Sequence, residues 1–310
     1  MLKYLCRTND HEVVFMAVML NDYLKNKYGS KIYKVSINAG FTCPNRDGTL
    51  DDRGCIFCSG LGSGDFAESS SMSVTDQIEA GKKRVASKIG EGNRYIAYFQ
   101  AFTNTYAPVE HLRSLYMEAI NHPDIEILSI ATRPDCLSSD VLSLLSEINK
   151  IKPVWVELGL QTIHETSAKY IRRGYPLNVY DKAVKDLRAI DIETIVHVIL
   201  GLPDETKEDM LKTVEYVANS GVQGIKLQLL HVLKGTDLAK DFAAGKFDCL
   251  TLDEYVDIVK DAVSLLPKDM VIHRMTGDGD KKLLIAPLWS GNKKLVLNTL
   301  NKTLSLNGSV

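Results

Sequence analysis

The chain has 310 residues, 45% hydrophobic and 25% charged, with 37 basic against 39 acidic side chains and six cysteines. This composition excludes wholesale disorder, and the net charge of −2 argues against a general polyanion binder while leaving room for a local basic face. Six cysteines are too few for a disulfide scaffold, and the length suits one α/β barrel with extensions or two modest domains.

The start of the chain has an apolar run only over 13–20, preceded by Asp10, His11 and Glu12. It lacks a signal-peptide cleavage site, and no stretch approaches the ~18 apolar residues needed to span a bilayer. The expectation is a cytoplasmic protein with no membrane segment and reduced thiols. Apolar β-branched runs then alternate with amphipathic stretches. Strands are predicted at 32–37, 95–99, 125–131, 153–160, 194–200 and 224–230, and helices at 74–89, 109–120, 139–149, 179–190 and 207–219. Ser73 or Thr75 suits the cap of the first helix, and Asp204, Glu205 and Thr206 suit the start of the last, where the dipole favours acids. Asn219-Ser220-Gly221 ends it with a plausible terminal glycine. This alternation predicts a parallel sheet, either a partial barrel or a doubly wound open sheet, with chemistry at the C-terminal strand ends. Beyond 268 the pattern changes to a strand at 270–273 and a helix at 293–301. From Lys281 onward there are five lysines (281, 282, 293, 294 and 302) and no acid, which fits either a solvated tail or a polyanion-contacting face.

Three of the six cysteines fall in the loop after the first strand, in G-F-T-C-P-N-R-D-G at 40–48 and G-C-I-F-C at 54–58. The Cys55/Cys58 pair lets two thiolates point at one centre from a tight turn. Asp47-Gly48 can reverse the chain and deliver Cys43, and Gly54 is expected to permit close approach to a metal. Structural zinc wants a fourth ligand, yet no histidine lies between His11 and His111. A four-iron cluster on three cysteines instead leaves one iron open. Cys6, Cys136 and Cys249 are remote in sequence.

This loop, with Phe57 just before its last cysteine, resembles the radical S-adenosylmethionine (SAM) superfamily. Its long first spacing is similar to the branch containing the Elongator catalytic subunit, and the fuller string resembles the bacterial YhcC/YtqA-type group of that branch. Four later segments resemble it in order: A-T-R-P-D at 131–135, V-E-L-G-L-Q-T at 156–162, R-R-G at 172–174 and I-L-G-L-P at 199–203.

The resemblance implies a partial (β/α)6 TIM-like barrel over 28–268, with an N-terminal extension at 1–27 and a C-terminal extension at 269–310 covering the barrel edge. It implies a [4Fe-4S] cluster on Cys43, Cys55 and Cys58, whose open iron takes SAM for reductive cleavage and hydrogen abstraction. The electron donor would be a reductase, flavodoxin or ferredoxin. Phe57 would lie against the adenine, and Gln161 and Arg173 would contact SAM, an arginine fork suiting its carboxylate. Departures are Ala131 in place of a carboxylate, His197 in place of an acid or glycine, and residues 100–106 in place of a glycine-rich element. His197 is either a cofactor contact or a satisfied core residue, and Thr103 and Asn104 are candidates to accept from the SAM ammonium. Cys136 is either an inert buried thiol or a substrate-side one, and nothing is assigned to Cys6 or Cys249. The implied substrate is tRNA, at a 5-aminomethyl-type side chain of the wobble uridine, with the C-terminal lysines or Lys82-Lys83-Arg84 on phosphates. The chain after the last motif is too short for an acetyltransferase domain, so acetyl-CoA chemistry is not carried over. The competing expectations are a radical SAM enzyme acting on a small metabolite and a non-catalytic, zinc-stabilised binding protein.

Overall fold

The apolar runs assemble into one eight-stranded parallel sheet in the structure, a computed structural model that describes residues 18–60, 62, 64, 67–86, 94–277 and 279–304. Cys6 and the rest of segment 1–17 lie outside the described residues, as do 87–89 at the end of the first predicted helix. The strands are β1 (Val18–Met19), β2 (Tyr33–Ile37), β3 (Tyr95–Phe99), β4 (Ile125–Thr132), β5 (Val154–Gln161), β6 (Glu193–Leu200), β7 (Gly224–Leu229) and β9 (Val271–Arg274). Their order is β1-β9-β7-β6-β5-β4-β3-β2. From β2 to β7 spatial order follows chain order without the reversal of a doubly wound sheet, so the fold is a partial barrel. Two strands join the six predicted between 32 and 230: β9, the strand expected at 270–273, and β1, which lies outside the predicted strands, complete the sheet beside β7.

The crossovers are α2 (Val74–Val85), α3 (Val109–Asn121), α4 (Ser139–Asn149), α6 (Leu177–Ala189) and α7 (Lys207–Ala218). Ser73 caps α2 by accepting from the Asp76 N–H, and Thr206 and Asp209 form a capping box on α7. Four helices lie outside the predicted set: α1 (Leu20–Tyr28), α5 (Glu165–Tyr170), α8 (Asp237–Ala243) and α9 (Leu252–Ser264). The start of α9 is written in Thr251 and Glu254, which form a second capping box, and its face in Tyr255, Ile258, Val259 and Ala262. A two-stranded ribbon of β8 (Val232–Leu233) and β10 (Leu284–Ala286) follows β7, and α10 (Lys293–Thr303) packs on α9 through Val296 and Leu300. Among the described residues no helix is long and apolar enough to cross a membrane.

The sheet is curled. In a flat sheet β2 and β5 stand three strand spacings apart, about 14 Å. Yet Lys34 on β2 donates to the Glu157 carboxylate on β5 at 2.5 Å. The convex face carries the apolar alternation, with Leu128, Val156, Leu158, Val196, Val198 and Leu227 buried under the helices. The concave face is layered. At its N-terminal end Ile96, Ile127, Trp155 and Ile195 form an apolar floor plugged by Leu24 of α1. Above it lies a charged layer of Lys34, Glu157, His197 and Lys226, and above that the small or polar side chains of Gln100, Ala131, Gly159 and Gln228 border a cavity.

Trp155 is fully buried at the centre of the floor, edge-on to His273 at 5.1 Å. Trp155→Ala is expected to cost about 3–5 kcal/mol, read as a lowered urea midpoint. A midpoint within experimental error of wild type would show that α1 does not seal the barrel.

Candidate active site at the cysteine loop

The loop after β2 is held by side chains of its own polar stretch. The Asn45 carboxamide donates to the Arg172 carbonyl at 2.6 Å and to Cys55 Sγ at 3.4 Å. Gly174 makes this possible: it has φ +82°, and a Cβ there would lie 2.7 Å from Asn45 Oδ1. Arg46 reaches back to the Cys58 and Ser59 carbonyls at 3.0 and 2.7 Å. Gly54 leaves the space for it, since a Cβ there would sit 2.8 Å from Arg46 Nε. The expectation that Gly54 admits a metal is thus corrected: it admits a guanidinium. The Ile56 N–H donates to the Ile171 carbonyl and the Leu238 N–H to the Ile56 carbonyl, tying the loop to the β5–α6 connection and to α8.

One cavity at the C-terminal strand ends is lined by Cys43, Cys55 and Cys58 together with Phe57, Thr103, Gln161, Arg173 and His197. Burial pushes the Cys55 thiol up to about 12, so a thiolate there requires a cation or cluster beside it. The three cysteine sulfurs do not all lie within 4.8 Å of one another. Four sulfurs around one zinc at 2.3 Å stand about 3.8 Å apart. Phe102, in the stretch 100–106, holds φ +62°, and it packs against Gly62 and under the Arg46 guanidinium.

The remaining site residues divide. Gln161, at φ +70° on the end of β5, has a buried Oε1 with no hydrogen-bond partner among the described residues. Arg173 is buried, but its Nε and Nη1 donate to the Tyr175 and Thr162 carbonyls at 3.0 and 2.6 Å. Only Nη2 lacks a hydrogen bond, so the expected two-pronged grip on a carboxylate is reduced to one prong. Tyr175 is stacked between Arg173 and Arg133, whose guanidinium carbons lie 4.7 and 5.2 Å from its ring. Arg133 is itself clamped by both oxygens of Asp135. Asn104 is not among the residues lining the cavity: its side-chain N–H donates to the Ala131 carbonyl at 2.8 Å and its backbone carbonyl accepts from the Tyr116 hydroxyl, while its buried side-chain Oδ1 has no hydrogen-bond partner among the described residues. Cys136 lines a separate outer groove with Pro44, Leu50 and Tyr106, and Cys249 packs beside the apolar cluster around α8.

Sequence reasoning passed over the charged layer. Glu157 is fully buried and accepts from Lys34, Ser129, His197 and Lys226, which come from four different strands. Burial alone would raise its pKa, but Lys226, Lys34 and His197 hold the carboxyl well below the usual range. Burial and the neighbouring cations bring Lys226 down to about 7. His197 meets Glu157 through Nε2 at 2.8 Å and Gln228 through Nδ1 at 3.4 Å, so both ring nitrogens are engaged by protein. Both nitrogens are thus satisfied within the protein, while the ring still lines the cavity. The signal was present as charges inside otherwise apolar strands, at Lys34, Glu157 and Lys226.

Residues 42–217 match the family model described as Radical SAM superfamily, and residues 222–305 match the Radical SAM C-terminal domain. The chain is 47% identical over 290 residues to the uncharacterised protein YtqA of Bacillus subtilis (strain 168), covering 94% of this chain and 90% of that one. It is 26% identical over 155 residues to the tRNA uridine(34) acetyltransferase of Methanocaldococcus jannaschii, covering 49% of this chain and 28% of that one. Its fold is similar to the solved Elp3 of Methanocaldococcus infernus, with a TM-score of 0.65 at 18% identity over 87% of this chain and 63% of that one.

Burial and the Lys226 charge push His197 down to about 4 from 6.5. Between those values the unfolded chain binds a proton that the folded ring refuses, so stability falls as pH falls through that window. His197→Gln keeps a donor for Glu157 and should flatten this limb in urea unfolding across pH 4 to 6.5. An unchanged slope would mean the ring is already charged in the fold.

Proposed function

The chain belongs to the radical SAM superfamily, whose members use a [4Fe-4S] cluster and SAM, and from that premise we propose that this enzyme modifies the 5-aminomethyl-type side chain of the wobble uridine in tRNA. The reading of the site rests on one observation: three cysteines of a single clamped loop line the same cavity as Gln161, whose buried Oε1 has no hydrogen-bond partner among the described residues, and Arg173, whose Nη2 makes no hydrogen bond and stands 3.6 Å from the Glu165 carboxylate. Cys43, Cys55 and Cys58 hold the cluster. Gln161 and Arg173 complete their hydrogen bonds on SAM, and Phe57 and Thr103 border the space it takes. When bound, cluster and SAM supply a reductive cleavage that yields a radical able to take hydrogen from an unactivated carbon. The protein's part is to fix positions and exclude water, for which the Arg133–Tyr175–Arg173 stack and the buried layers beneath form the wall.

The tRNA reading is supported by the 26% identical relative, whose name gives tRNA uridine 34 as its substrate. The electron donor in this reading is a flavodoxin- or ferredoxin-type carrier or a reductase, and the compartment is the cytoplasm. The zinc alternative is set aside by the family.

The test is anaerobic incubation of reconstituted protein with SAM, a strong reductant and tRNA from a strain lacking the gene. The expected result is 5′-deoxyadenosine together with a changed mass of the wobble nucleoside. 5′-Deoxyadenosine with an unchanged nucleoside would overturn the tRNA substrate and favour a small metabolite.

A further inference from the structure

The basic residues of this chain are not distributed alike. On α2, Lys82 is held by Glu79 and Asp124 at 2.6 and 2.5 Å, and Arg84 pairs with Glu68, so that cluster is largely neutralised. Across the molecule the rim of the cavity differs. Gly277 and Gly279 line the cavity wall, and the exposed Lys281 and Lys282 follow at once. Lys234, also exposed, is brought beside them by its backbone bond to the Leu283 carbonyl at 2.8 Å. Asp280 accepts from the Lys282 backbone N–H at 2.9 Å, Asp237 is taken by Arg172 and Lys240, and Asp278 lies outside the described residues. The chain then runs through β10 to α10. There Val296 and Leu300 are buried, and helical periodicity puts Lys294 and Lys302 on the opposite, exposed side. Among the described residues, none of Lys234, Lys281, Lys282, Lys294 and Lys302 has an acidic partner in ion-pair range.

Exposed cations without acidic partners keep their counterions until a polyanion releases them, so a chain segment that carries them from the cavity rim to α10 is suited to phosphate contact. Its inner end is the mouth of the cavity and its outer end is α10, about 16 Å long. We infer that this strip docks the sugar-phosphate backbone of an RNA, so that a group projecting from the docked strand enters the cavity at Gly277 and Gly279. The identity of the polyanion rests on the tRNA reading above; the place of contact rests on the lysines alone. An anionic membrane fits less well, because Val296 and Leu300 of α10 are already buried and only Leu288 and Leu295 stay exposed beside the lysines.

The experiment measures binding of unmodified tRNA transcript by fluorescence anisotropy across a salt series, with the reconstituted protein. K281E/K282E/K294E/K302E should weaken binding more than tenfold near 0.1 M salt and lower the slope of log K against log salt, each lost phosphate contact removing about one unit. RNA-free SAM cleavage and Tm should stay at wild-type values. Lys83→Glu, on α2 at the opposite edge of the sheet, should change affinity little. The milder K281Q/K282Q serves as a second variant if reversal lowers Tm. Wild-type binding that the variants leave intact would overturn the docking face while the tRNA reading stands. Failure of wild type to bind tRNA at low salt, or a preference for anionic vesicles, would overturn both.

Discussion

A single buried carboxylate holds the half-barrel in its curl. Glu157 has four lone-pair directions, and Lys34, Ser129, His197 and Lys226 fill them from β2, β4, β6 and β7. Two lysine stems converge on one residue of the central strand, which a flat sheet does not allow. Removing the carboxylate would leave two buried ammonium groups uncompensated, a change that typically costs about 3–5 kcal/mol. Replacing the whole cluster by apolar residues would cost far less, so its persistence points to specificity of shape: the curl that places β2 and β6 around one cavity.

The cysteine loop depends on that curl in turn. Its anchors, the carbonyls of Arg172 and Ile171, belong to the connection after β5, while the loop itself leaves β2. Asn45 and Arg46 bridge this gap, and Gly54 and Gly174 leave the room for them. The arrangement sets three thiols on a cavity that the buried Arg133 and Arg173 also line. Such positive surroundings compensate the negative charge of thiolate ligands.

Much of this was legible in the sequence. The six apolar runs became strands β2 to β7, and the Ser73 and Thr206 caps form as the residue types dictate. The three cysteines were legible because their spacing demands a common centre. What escaped was interior chemistry. Alternation read as apolar concealed Lys34, Glu157 and Lys226, because a hydrophobic run tolerates a charge only where a distant strand supplies its partner, and pairing across strands is not written in local pattern. Arg173 matched its motif, yet two of its three nitrogens serve backbone carbonyls that no linear spacing announces. Asn104 was chosen as a polar loop residue, but the loop turns it toward Ala131.

The central claim is that Cys43, Cys55 and Cys58 form one cluster site facing the cavity while Cys249 stands apart. The most direct measurement is iron and sulfide content of anaerobically reconstituted Cys58→Ala and Cys249→Ala proteins beside wild type. The account predicts about four irons per chain in wild type and Cys249→Ala and almost none in Cys58→Ala. Equal iron loss in both variants, or full iron in Cys58→Ala, would contradict it.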